Sequence, residues 1–195
     1  MPDLLQILIN IQAVIPAFMS VLKTIVGIMS LFIVAGSMFE LYGAANENSQ
    51  KYLTANRRFS LTGGIVGLLV GGVMLSMVTL DFIDITTRTL TGSHVTSEIL
   101  AYKSGGTSSL SANAKAGANT IFMLMQIVGF IAYMKFFLIM KARYDGSGAG
   151  QKAGGIGSAM TFLVAGFLCW NAKWAAEVLN DDIFGFKLLG LFFSN

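Results

Sequence analysis

Two stretches of this chain carry no charge at all: no Asp, Glu, Lys or Arg falls between Thr24 and Phe39, nor between Leu61 and Leu80. A helix that crosses the ~30 Å hydrocarbon layer of a bilayer needs about 20 mainly apolar residues. With their apolar flanks, both stretches meet that requirement. Composition agrees. Hydrophobic residues make up 54% of the 195 positions and charged residues 12%, and the mean hydropathy is +0.69. Soluble domains carry about a quarter charged residues, so a soluble fold of this size would lack a polar surface.

The first apolar region runs from Leu4 to Tyr42. As a single helix it would measure roughly 58 Å at 1.5 Å per residue, about twice what the bilayer holds. Leu4, Leu5, Ile7, Leu8, Ile11 and Ile15 recur near helical spacing, and Pro16 follows. The expectation is an interfacial or partner-binding helix over 3–16 and a first span over about 21–43, with Lys23 snorkelling at its end. Lys23, the apolar run and Gly43-Ala44-Ala45 also mimic a cleavable leader, which keeps a pilin-like reading open.

The second span is expected over about 61–82. Gly63, Gly67 and Gly71 stand at i, i+4 and i+8, one stripe along a helix, with Gly64 and Gly72 beside them. Small residues in that register let another backbone approach closely. Residues 83–118 hold the only histidine, His94, and many hydroxyl residues, and they read as a surface loop with a short helical turn at 99–102. A third span follows over about 119–140, with Lys135 near its end. A basic, glycine-rich connector covers 141–155. Gly154, Gly155 and Gly157 open the fourth span, about 156–179, and are expected to pack closely. Near its end, Trp170 and Trp174 with Lys173 between them suit a membrane-interface anchor, and Lys173 and Glu177 have the spacing of an ion pair. The apolar tail, 183–193, is too short to cross and is expected to lie on the membrane or against a partner.

The fold class expected is therefore all-α, a single polytopic membrane domain of about four transmembrane helices in two hairpins. Both short loops, 44–60 and 141–155, are the richer in Lys and Arg for their length, which places them in the cytoplasm and both termini outside.

No catalytic constellation emerges. One His and one Cys, Cys169, do not make an ordinary zinc site, and no Ser-His-Asp arrangement can be built around His94. The glycine clusters lack the Lys-Ser/Thr ending of a phosphate loop. Asp81 and Asp84 could sit at a cation site, but two carboxylates there also describe a solvated helix end. With no long Lys/Arg run and no interleaved aromatics, direct nucleic-acid binding is not expected. No enzyme activity, cofactor or metal is expected.

A small four-span protein rich in Gly and Met, with a basic glycine-rich loop leading into Ala153-Gly-Gly-Ile-Gly-Ser-Ala-Met160, resembles the DotE/IcmC-type inner-membrane proteins of type IVB (Dot/Icm) secretion systems. It is also similar to the related small TraQ and TraR proteins of IncI-type conjugation systems. The resemblance covers most of the chain and is strongest from Ala116 to Phe186. It implies a non-enzymatic subunit of a bacterial envelope machine that moves effector proteins or DNA, with other membrane subunits as partners. An oligomeric small-solute channel or transporter is the alternative of a different class.

Overall fold

The structure, a computed structural model, describes residues 4–46, 60–92, 109–144 and 155–178. Among them all regular structure is helical: α1 (Leu4–Ala45), α2 (Leu61–Thr79), α3 (Asp81–Thr91), α4 (Ser109–Tyr144), α5 (Ile156–Trp170) and α6 (Ala172–Val178). Three segments are long and apolar enough to cross a membrane, Asn10–Ala45, Leu61–Thr79 and Gly117–Tyr144, and Ile156–Trp170 is a shorter apolar helix. The chain is an all-α polytopic membrane protein.

Helix limits differ from the expected ones for identifiable reasons. Pro16 does not break the first helix, which runs on for 42 residues with the proline inside it. Proline removes one backbone donor, and Ile15 and Met19 on either side of it are both in the core, so packing holds the helix together across the gap. No separate helix over 3–16 exists among the described residues. The second span ends at Thr79, not at 82, because Leu80 turns left-handed (φ 68°, ψ 4°) and starts α3. Residues 83–91 and 109–118, expected within a loop, are helical. The fourth span divides at Asn171. The turn expected at 99–102 and the tail at 183–193 lie outside the described residues.

Local chemistry sets these boundaries. Ser60 is extended and its hydroxyl accepts from the Gly63 amide at 3.1 Å, capping α2. Asp81 and Asp84 occupy the first turn of α3 and Arg88 its last, each favourable to the helix dipole. Gly92, at φ 70°, closes α3 in the left-handed conformation that glycine adopts without strain.

Two antiparallel hairpins form the body. On α2, Gly64 lies against Leu41, Gly71 against Ile33 and Val34, while Val78 reaches Gly27; numbers falling on α1 as they rise on α2 make the pair antiparallel. On the other hairpin, Gly129 of α4 meets Gly166 and Trp170 of α5, and Lys135 lies over the Phe162 ring at 4.5 Å. Helix α4 also packs on α1 and α2. Met74, Met77, Ile83, Phe130 and Tyr133 fill the centre, all but fully buried. Phe82 of α3 sets its ring edge-to-face with Tyr133 and Phe137, centroids 5.9 and 5.3 Å away.

Candidate functional site

The glycine stripe of α2 is a contact surface: Gly67 and Gly71 face the chain's own first helix, and Gly63 lies nearest the C-terminal end of α4. Gly63, Gly67 and Gly71 are buried. A Cβ on Gly63 would stand 2.7 Å from the Tyr144 carbonyl oxygen, and one on Gly71 would stand 2.6 Å from Val34 Cγ2. A Cβ on Gly67 would fall on the Ser37 hydroxyl, which is buried and donates to the Ile33 carbonyl at 2.7 Å. Ser30 does likewise to Gly27 at 2.7 Å. Both serines meet their hydrogen-bond need within α1, as a polar group in an apolar interior must. The glycines opposite then let the two backbones close over them.

Gly155 and Gly157 do not behave as expected. Both are exposed, and a Cβ at either would meet nothing within 4 Å. They precede the closest approach of α5 to α4, which comes two to three turns later. Gly154 lies outside the described residues. The close contact of the second hairpin is instead Gly129 with Gly166, which the sequence reading missed. A Cβ on Gly129 would stand 2.8 Å from the Trp170 amide nitrogen and 2.9 Å from the Gly166 carbonyl oxygen. Gly129 has Met125 and Tyr133 one turn away on either side, so no small-residue register announces it.

That contact also overturns the expectation for Trp170. It is 3% exposed, turned into the bundle and not out onto lipid, with its backbone directly on Gly129. Trp174 is half-buried, with its ring 6.0 Å from that of Phe167. Lys173 is half-buried too. The side chain of Glu177 lies outside what the structure describes.

A buried polar link joins α3 to the break between α5 and α6. Asn171, at the break between α5 and α6, donates through Nδ2 to the Thr87 hydroxyl of α3 at 3.1 Å, in a buried site, and to the Phe167 carbonyl at 3.1 Å. Gln126 and Trp170 are also buried, and Gln126 Oε1 and Trp170 Nε1 have no hydrogen-bond partner. The carboxylates expected as a possible cation site are placed at the start of α3, where Asp81 accepts a hydrogen bond from Thr79 and Asp84 is half-buried. Cys169 is half-buried, His94 lies outside the described residues, and among the described residues no three His, Cys, Asp or Glu side chains group as metal ligands would. What the arrangement does is hold helices together: glycine contacts within each hairpin, and a buried amide–hydroxyl bond between Asn171 and α3.

No family model, curated protein or solved structure matches this chain.

Proposed function

We propose that this chain is a non-enzymatic structural subunit of a bacterial type IV (IVB) secretion or conjugation machine, acting in the transfer of effector proteins or DNA. The observation that carries the reading is a membrane body whose centre is filled by its own side chains and whose helices are drawn together by glycine, at Gly63–Gly71 and at Gly129–Gly166. Such a body serves as a scaffold with wide apolar outer faces. The resemblance to DotE/IcmC-type proteins supplies the machine. On this reading the chain lies in the inner membrane with its basic loops in the cytoplasm and its termini in the periplasm. Its partners are other membrane subunits and lipid.

Gentle detergent extraction tests it. Tagged protein should bring down envelope-spanning subunits of a transfer apparatus, and deleting the chain should abolish transfer of protein or DNA. Recovery of the chain without envelope partners, from cells whose transfer is unaffected by the deletion, would refute the proposal. The buried Gln126 and Trp170 polar atoms favour one second reading, an oligomeric small-solute channel. Solute-dependent conductance of the purified chain in planar bilayers would support that reading instead.

A further inference from the structure

Three polar atoms at the contact of α4 with α5 are buried without a hydrogen-bond partner among the described residues: Gln126 Oε1, Tyr133 Oη and Trp170 Nε1. Their residues are 7%, 1% and 3% exposed. Buried polar groups in folded proteins are almost always paired, either within the protein or with ordered water. An unmet one costs more than an ordinary hydrogen bond gains, so three on one helix contact need a common explanation.

The three residues belong to one patch. On α4, Gln126 stands three residues before Gly129 and Tyr133 four after it, all on one helix face. Gly129 puts no side chain between them, and the Trp170 backbone comes down on it: a Cβ there would stand 2.8 Å from the Trp170 amide nitrogen and 3.2 Å from its Cα. One turn earlier on α5, a Cβ on Gly166 would stand 3.2 Å from Cγ of the Tyr133 ring. Long side chains lean toward the N-terminus of their own helix. In this antiparallel pair, that turns Tyr133 back over Gly129 toward Gln126, and Trp170 back toward Gly166 and the Tyr133 ring. Helix α3 closes the patch, with the Phe82 ring edge-on to Tyr133 and Thr87 bonded to Asn171, the neighbour of Trp170.

The donors that α3 and α5 bring to this patch are already committed. The Thr86 hydroxyl donates to the Phe82 and Ile83 carbonyls, and the Asn171 amide to Thr87 and the Phe167 carbonyl. What is left is an amide oxygen that accepts, an indole N–H that donates and a phenol that does both. None is ionic, so an ion would find no counter-charge among them. Water both donates and accepts, and an internal water typically makes about three such bonds. We propose that the contact of α4 with α5 encloses structural water, hydrogen-bonded to Gln126 Oε1, Tyr133 Oη and Trp170 Nε1. The site lies within one chain and does not rest on the machine proposed above. It also accounts for these atoms without a solute path.

Water-edited solid-state NMR on the full chain in lipid bilayers tests it. The chain has two tryptophans, so ¹⁵N-tryptophan labelling with Trp174→Phe leaves Trp170 as the single indole signal. Magnetisation started on water should reach the Trp170 indole N–H. Gln126→Leu and Tyr133→Phe each remove one of the water's partners at nearly constant volume, and each should slow that build-up several-fold. Tyr133→Phe deletes a single oxygen, so it carries the test even if Gln126→Leu fails to fold. No transfer from water to the indole would overturn the site, since the contact would then be dry or filled by a lipid chain. Transfer at an unchanged rate in both variants would also overturn it, because water would then reach the indole by a route that these groups do not hold.

Discussion

Gly71 and Gly72 are chain neighbours with opposite surroundings. A Cβ on Gly71 would press on Val34, Ile33 and the Ser30 carbonyl, while one on Gly72 would meet nothing within 4 Å. Overpacking a filled interface costs about 1–3 kcal/mol, occasionally more, so Gly71→Leu should lower the unfolding midpoint in mild detergent and Gly72→Leu should leave it nearly unchanged. Equal midpoints would mean that α1 and α2 do not pack through this stripe. The register of the stripe was legible in the sequence because i, i+4 and i+8 place small residues on one helix face. Its partner was not, since glycine records that a backbone comes near without recording which one. Trp170 was misread for a related reason: a tryptophan beside Lys173 looks like an interface anchor until Gly129, far off in sequence, brings α4 onto its backbone. Asn171 gives a second test at this scale. Thr87→Val and Asn171→Leu should each destabilise, and their double-mutant cycle should show coupling of about 0.6 kcal/mol, the size typical of a side-chain hydrogen bond inside a membrane protein. Strict additivity would mean that the 3.1 Å contact contributes nothing.

At the scale of elements, the joint between α2 and α3 is made by a residue poorly suited to it. Leu80 is the one non-glycine residue at positive φ among those described, and that conformation costs an L-residue roughly 1–2 kcal/mol. Its side chain is nonetheless 3% exposed and part of the core, and truncating a buried leucine costs about 2–5 kcal/mol. The larger effect decides the sign. Leu80→Gly should relieve the backbone and still destabilise the protein, by about 2 kcal/mol at the middle of those ranges, read as a lower midpoint in detergent. A higher midpoint would show that the strain outweighs the packing. Nothing in the sequence marks this joint, because the usual sign of a left-handed helix end is glycine and here the core has kept a leucine. Pro16 errs the other way. It announces a break that Ile15 and Met19 override by packing on either side of it. Four apolar segments could be read from composition alone; where each helix stops depended on contacts between segments.

For the whole molecule, the question is whether any residue does chemistry. His94, Cys169, Asp81 and Asp84 are the residues an enzyme or metal hypothesis would have to use. Changing them together to Gln, Ala, Asn and Asn alters little volume. The chief stability cost is at α3, where both aspartates sit in the first turn and each helix-end charge is worth typically 0.3–1 kcal/mol. A loss of about 1–2 kcal/mol in total on that scale lowers the midpoint without emptying the membrane of folded protein. A structural subunit predicts that the fourfold variant inserts, recovers the same partners and supports transfer close to normal levels. The contrasting variant is Gly67→Leu combined with Gly129→Leu. It leaves every ionisable group in place and forces apart both close helix contacts, at Ser37 and at Trp170. It should insert, lose the closed bundle in detergent, and fail in transfer. Normal insertion and partner recovery with transfer lost only in the fourfold variant, and full transfer in the double glycine variant, would place the function in side-chain chemistry and refute the scaffold.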